Sequence, residues 1–201
     1  MLWDTATVLI LVRHGRTPAN AAGLLQGRLD QDLDDHGRLQ ATAVAAYVQS
    51  WCDVDLVVSS PLKRAQQTAA AFGSAVDTDA RWLELSYGEY EGTPHTDVPS
   101  EVWQRWRADP HFTPTGGESL ATLDQRVRSA CEDVAERAAA KNVVVVSHVS
   151  PMKSAVAWAL GVGVDISFNC HLDQAAVCRI AFRGDRPILQ TFNETAELPN
   201  S

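Results

Sequence analysis

The run Val8-Leu9-Ile10-Leu11-Val12 constrains this chain more than any other stretch of it. The run shows no alternation of apolar and polar residues, so a strand built from it must be covered on both faces. Such strands lie at the centre of parallel sheets flanked by helices. We read residues 7–12 as a first strand, Leu56-Val57-Val58 as a second and Val143–Val146 as a third. The first is followed at once by Arg13-His14-Gly15. Ligands of open α/β sheets bind at the carboxyl ends of strands, and a glycine there lets the backbone turn sharply and approach a ligand.

Helical segments alternate with these runs. Asp34 reads as the N-cap of a helix extending to about Ser50, with Leu39, Ala43, Ala46 and Tyr47 on one face. Ser60 and Pro61 read as the cap and first position of a helix running to about Phe72. Leu120, Leu123, Val127, Cys131, Val134 and Ala138 recur at helical spacing and predict a long amphipathic helix ending near Ala140. Ser150-Pro151 repeats the serine-proline start, and Gly161 suits the exit. A short helix is expected near Glu101–Arg107, and Val177–Phe182 and Ile188–Phe192 read as closing, antiparallel strands. The fold class is therefore α/β: a three-layer sandwich with a mostly parallel central sheet and helices on both faces. Residues 1–201 read as one domain, with a small cap inserted at about 89–117.

The net charge of −8 argues against a general nucleic-acid binder. It leaves room for a small anionic ligand, because a local basic pocket focuses the field inside an acidic protein. Cys52, Cys131, Cys170 and Cys178 are irregularly spaced, without a disulfide framework or a CxxC pair. They read as buried, reduced thiols rather than as metal ligands. The N-terminus lacks a secretory pattern and no apolar run approaches a membrane span, so a cytoplasmic protein without membrane contact is expected.

Three strand ends carry polar groups: Arg13-His14-Gly15 after the first, Ser59-Ser60 leading into a helix with Arg64 after the second, and His148 after the third. In a parallel sheet those ends share one edge. Two guanidiniums and two imidazoles without a metal-ligand motif describe an oxyanion site, most naturally for phosphate.

With these pieces in place, the chain resembles the histidine phosphatase superfamily, the phosphoglycerate mutase-like group, on its phosphatase branch. The matching segments are Leu11–Thr17, Asn20, Gln26-Gly27, Leu33–Ala41, Ser59–Thr68, Glu84–Gly92, Gly116–Ser119 and Val146–His148. They follow in family order and cover nearly the whole chain. The resemblance implies a metal-independent phosphomonoesterase of the histidine acid phosphatase type, needing no cofactor. In it His14 would take the phosphoryl group as phosphohistidine. Arg13, Arg64 and His148 would surround the phosphoryl oxygens. Glu84 would protonate the leaving oxygen and then activate water. Thr17, Asn20, Gln26 and Gly27 would add donors to the substrate phosphate.

The implied partner is a small phosphorylated metabolite, with at most a second copy of the chain as a homodimer. Two rivals are a cofactor-dependent phosphoglycerate mutase and a non-catalytic module that binds a phosphorylated ligand. The span between Gly92 and Gly116 is short, and its charges (Asp97, Glu101, Arg105, Arg107, Asp109) are roughly balanced. A mutase needs extra basic residues there for a second phosphate, so hydrolysis is favoured. Trp103, Trp106, His111 and Phe112 in this span either line a specificity cap with Arg105 and Arg107 or pack the cap onto the sheet. His36, His95, His111 and His171 read as surface or supporting residues. Many relatives have glycine directly after the second histidine, where this chain has Val149-Ser150-Pro151-Met152-Lys153; contact of Ser150 or Lys153 with substrate stays open.

Overall fold

A computed structural model describes residues 8–137 and 141–198. These residues form one six-stranded sheet in the order β3-β2-β4-β1-β5-β6. In chain order the elements are β1 (Val8–Arg13), α1 (Pro18–Ala21), α2 (Asp35–Gln49), β2 (Leu56–Ser59), α3 (Lys63–Ala70), β3 (Val76–Thr78) and α4 (Ser100–Ala108). They continue with α5 (Leu120–Arg137), β4 (Val143–Ser147), α6 (Val149–Leu160), β5 (Val177–Arg183) and β6 (Arg186–Glu194). Strands β3, β2, β4 and β1 are mutually parallel, while β5 and β6 add antiparallel.

Period-two alternation splits the apolar strands between two cores. Leu9 and Leu11 of β1 and Val143 and Val145 of β4 join α5 and α6 through Leu123, Val127, Met152 and Val156. Ile10, Val12, Val144 and Val146 face the other way, onto Val44 and Val48 of α2 and Ala65 and Ala69 of α3. Each fully buried valine or leucine contributes about 1.5–3 kcal/mol, which is why the central strands tolerate no polar interruption.

The four valines of β4 cannot by themselves set a register, since a slip by one residue exchanges like for like. The ends set it. Asn142 donates from its backbone N to Asp55 Oδ2 at 2.7 Å and from Nδ2 to the Asp53 carbonyl at 3.0 Å. At the other end the Ser147 hydroxyl donates to the Trp82 carbonyl at 2.7 Å. The resulting pairing sets Arg13 opposite Ser147 and Ser59 opposite Val146. His14, Ser60 and His148 thus follow three adjacent strands at one sheet edge.

Several sequence expectations shift. Helix α2 starts at the expected cap, with Asp34 Oδ1 accepting from Gly37 N at 2.7 Å, but buries the other face: Gly37, Ala41, Val44, Ala45 and Val48. Leu39 is 53% exposed and lies with Ala43, Ala46 and Tyr47 beside Ala196–Leu198. Both faces carry apolar residues, and the one with glycine and alanine wins because it allows the helix to sit directly on the backbone of Arg16. Helix α3 begins only at Lys63, with Ser60 and Pro61 ahead of it and Leu62 as an N-cap without a side-chain bond. Helix α6 begins at Val149, with His148 itself as N-cap, and exits through Gly161 at φ +69°. Strand β3, three residues on the parallel edge, carried no pattern long enough to read. Residue 7 of the first strand, and Ala138 with the expected helix end near Ala140, lie outside the described residues. Cys131 and Cys178 are buried, whereas Cys52 and Cys170 are only half-buried.

The segment around α4 has its own small core. Trp106 and Phe112 pack with Leu25 and Val98, and Tyr87, Tyr90, Val102 and Trp103 flank them. Trp106 meets Tyr87 edge-on at 5.7 Å and Phe112 at 5.7 Å between ring centroids. These rings seat the segment on the Leu25 loop and Tyr87, not on the sheet. Among the described residues no helix is long and apolar enough to cross a membrane.

Candidate active site

The chain leaves β1 through Gly15, and this glycine is needed for close approach. A Cβ on Gly15 would stand 2.3 Å from the Gly37 carbonyl oxygen, and one on Gly37 would stand 2.0 Å from the Arg16 carbonyl oxygen. Two glycines therefore let the loop after β1 lie against the first turn of α2. The close approach that Gly15 permits within the fold is to protein backbone. The Gly15 N–H donates to the Thr68 hydroxyl at 3.1 Å, tying this loop to α3 as well.

His14 is buried, and its Nδ1 lies 2.6 Å from the Gly15 carbonyl oxygen. A carbonyl only accepts, so Nδ1 carries the proton and Nε2 keeps its lone pair. Arg64 Nε sits 3.2 Å from His14 Nε2 and 3.2 Å from His148 Nδ1, sharing one N–H between two acceptors. His148 then carries its proton on Nε2 and donates to the Ser60 hydroxyl at 2.8 Å. The same hydroxyl oxygen accepts from Leu62 N at 3.4 Å, just ahead of α3. The two imidazole centroids are 5.0 Å apart. Burial, with Arg64 and Arg13 close by, holds His14 well below the ordinary imidazole value, and burial with Arg64 does the same for His148. Both rings are neutral near pH 7.

The guanidiniums are as unusual. Arg64 is 1% exposed and donates to the carbonyls of Leu29 at 2.8 Å and Gly27 at 2.6 Å. Arg13 is buried too and donates to the Leu172 carbonyl at 2.6 Å. Among the described residues no carboxylate lies within ion-pair distance of either. Burial pushes Arg64 down to about 10, partly offset by the field of Glu84, so it stays charged at neutral pH. Two desolvated cations without a counter-ion are costly, and an anionic ligand between them would remove that cost.

Arg13, His14, Asn20, Gln26, Gly27, Arg64 and Glu84 line a cavity of about 120 Å³, together with Leu24, Leu25, Tyr87, His95 and Val149. Arg13 Nε and Gln26 Nε2 are buried without a hydrogen-bond partner, so two donors of cavity-lining residues await an acceptor. Asn20 lies on α1 and uses its Oδ1 to accept from Thr17 N at 3.2 Å. Thr17 is fully buried behind this wall, and its hydroxyl donates to Gln26 Oε1 at 2.9 Å. Expected as a direct substrate ligand, it instead orients Gln26. His148 likewise does not line the cavity; it reaches the site through Arg64. Gly27 has φ +52°, and a Cβ there would meet the Glu91 carboxylate, so the loop needs glycine.

Glu84 stands at the N-terminus of α6. Its Oε1 accepts from Leu85 N at 2.8 Å and Ser150 N at 3.2 Å, and its Oε2 from Val149 N at 3.1 Å. The first turn of a helix offers unpaired N–H groups, and this carboxylate takes two of them. An α6 beginning two residues before Pro151 is what places those donors. Ser150 serves Glu84 through its backbone, and its hydroxyl lies 3.4 Å from the Tyr87 hydroxyl. Lys153 donates to the Ser167 carbonyl at 2.7 Å and does not line the cavity.

Tyr87, His95, Leu24, Leu25 and Val149 line the cavity beyond the predicted site residues; His95, expected as a surface or supporting residue, is exposed and yet lines it. Tyr87 lies inside the Glu84–Gly92 motif, and that placement was the available signal. Burial raises its phenol above the ordinary value. His95 stacks on Trp103 with centroids 6.3 Å apart and 20° between planes, and burial lowers its imidazole. Nothing local marks it. Arg105 lies 4.0 Å over the Phe112 ring and Arg107 6.0 Å from the Phe168 ring, while His111 is exposed. None of these three lines the cavity. Among the described residues no three His, Cys, Asp or Glu side chains gather as metal ligands.

Comparison with known proteins agrees with this picture. Residues 9–195 match the family model described as histidine phosphatase superfamily (branch 1). Phosphoserine phosphatase 1 of Hydrogenobacter thermophilus is 34% identical over 198 residues, covering 94% of this chain and 93% of that protein. A bifunctional protein of Mycobacterium tuberculosis is 35% identical over 188 residues, covering 90% of this chain and 52% of that longer protein. The structure of a mycobacterial glucosyl-3-phosphoglycerate phosphatase in complex with VO3 superposes with a TM-score of 0.85 at 27% identity, covering 94% of this chain and 100% of the other.

Proposed function

The chain belongs to the histidine phosphatase superfamily and is a phosphomonoester hydrolase; from that premise we propose that it works through a phosphohistidine on His14, without a metal. The observation that carries the reading is the neutral, Nδ1-protonated His14 whose Nε2 lone pair lies beside the buried guanidinium of Arg64, which makes no direct ion pair among the described residues. Nε2 attacks phosphorus and the bond to the leaving oxygen breaks. Glu84 gives that oxygen a proton that it takes up as the anionic substrate binds beside it. Arg13, Arg64 and Gln26 take the charge of the phosphoryl oxygens, and each such donor contributes about 10²–10³-fold in typical enzymes. Glu84, now a carboxylate, accepts a proton from water; the water oxygen attacks phosphorus, the P–N bond breaks and inorganic phosphate leaves. His14 returns to its neutral form.

Hydrolysis is favoured over mutase chemistry by the cations of the cavity. Among the described residues its lining holds two, Arg13 and Arg64, while Tyr87, His95, Leu24 and Leu25 bring no second cluster of cations. That composition suits a small phosphorylated metabolite without a second phosphate. The reading includes a cytoplasmic setting and accommodates a monomer or a homodimer.

The test is a rapid acid-free quench with a radiolabelled phosphomonoester. Base-stable, acid-labile label on wild-type protein and its loss in His14→Ala are expected, together with a fall in turnover of at least about 10³-fold. Full turnover by His14→Ala, or turnover abolished by chelator and restored by zinc, would refute the reading.

A further inference from the structure

Glu84 lies on irregular backbone between the short 3₁₀ turns Ala80–Trp82 and Gly88–Tyr90, where no strand or helix ladder fixes it. A general acid must hold its position to a fraction of an ångström. The carboxylate end is held by α6. The main-chain end is held by two guanidiniums from distant parts of the sequence: Arg126 Nη2 and Arg28 Nε each donate to the Glu84 carbonyl at 3.3 Å.

Arg126 does more than touch that carbonyl. Its Nη1 donates to the Arg81 carbonyl at 2.6 Å, so one planar group bolts down both ends of the 81–84 segment. Glu118 fixes the plane by a paired contact, Oε1 with Arg126 Nε at 2.8 Å and Oε2 with Nη2 at 2.9 Å. The Glu118 Oε2 atom also accepts from Arg28 Nη2 at 3.1 Å. Arg126 stands on α5, which the core anchors through Leu123 and Val127. Arg28 follows Gly27, whose carbonyl accepts from Arg64. Glu118 therefore joins the rigid α5 and the loop that holds Arg64 to the backbone that carries Glu84.

We propose that Arg126, oriented by Glu118, is a positioning residue that keeps Glu84 aimed at the leaving oxygen. This rests on Glu84 being the general acid. Lysine cannot replace it, because a single ammonium cannot span the Arg81 and Glu84 carbonyls and pair both Glu118 oxygens at once.

Benzyl phosphate and 4-nitrophenyl phosphate are similar in size but differ in what they ask of the acid. The alkoxide of the first needs a proton as it leaves; the nitrophenolate of the second barely does. The ratio of their kcat/KM values therefore reports on the acid through the step in which the leaving group departs. Glu84→Gln sets the scale and is expected to lower benzyl phosphate at least about 10²-fold more than 4-nitrophenyl phosphate. Arg126→Lys and Glu118→Gln are expected to skew the ratio the same way by about five- to tenfold, a partial misplacement of the same group. Arg126→Lys keeps the charge and Glu118→Gln keeps the shape of the side chain, and either alone decides the point if the other fails to fold. Equal losses on both substrates, or no loss, would overturn the proposal and leave the network as scaffolding. An unskewed Glu84→Gln would instead overturn the assignment of Glu84 as the acid.

Discussion

Lowering the pH from 7.5 to 5.5 should destabilise the fold, and the two buried site histidines set the size of the effect. Burial and the neighbouring guanidiniums hold His14 and His148 far below the ordinary imidazole value, so neither takes up a proton in this window while the chain is folded. In the unfolded chain both titrate near about 6.5. Their contribution is therefore fully present above that pH and is lost as the pH falls, because the unfolded state then binds protons that the native state refuses. Over the two pH units each histidine costs about 1.4 kcal/mol, and the pair about 3 kcal/mol. That is a large share of the roughly 5–15 kcal/mol by which domains are stable. His95, lowered more mildly by burial, adds in the same direction. Asp173, held down by hydrogen bonds from Asn193 and His171, acts near about pH 4 and below, outside the window. Urea unfolding followed by tryptophan fluorescence at pH 7.5, 6.5 and 5.5 measures the effect as a midpoint shift of about 1–1.5 M for a slope near about 2–3 kcal/mol per molar. His148→Gln should remove about half of the pH dependence. A wild-type midpoint that does not move, or a pH dependence unchanged in His148→Gln, would show that the imidazoles are not held neutral by the fold.

Three further outcomes follow from the geometry. Gly15→Ala should cost at least about 2 kcal/mol in urea unfolding, since its Cβ would meet the backbone of Gly37 and not a movable side chain; Gly73→Ala, with open space but φ +71°, should cost about 1 kcal/mol. On α2, Leu39→Ser should stay within about 0.5 kcal/mol of wild type, whereas Val44→Ala should destabilise by about 1–3 kcal/mol; the same unfolding assay ranks them. Arg64→Lys should lower kcat/KM about 10²–10³-fold and weaken inhibition by vanadate in parallel, because an ammonium cannot hold the Gly27 and Leu29 carbonyls and still face the phosphoryl oxygens.

The sequence by itself determined the layered α/β fold, the sheet edge that carries chemistry and the residues gathered there. Unbroken apolar runs must be buried on both faces, and the polar residue that ends each run inherits its strand's place; Arg13-His14 and His148 were legible for that reason. Helix phase was not. The face of α2 was misread because hydrophobicity favours Leu39 and Tyr47, while packing turned on Gly37, whose value is its lack of a Cβ against the backbone of Arg16. Only the tertiary structure decided how each group is tuned: the proton of His14 kept on Nδ1 by the accepting Gly15 carbonyl, His148 turned toward Ser60, Thr17 withdrawn behind Gln26, Glu84 held between the start of α6 and the guanidinium of Arg126. It also brought His95 into the cavity by a stacking contact with Trp103. Residue type fixes what a side chain can do, but protonation state and aim depend on neighbours tens of residues away, and those are set only when the layers close.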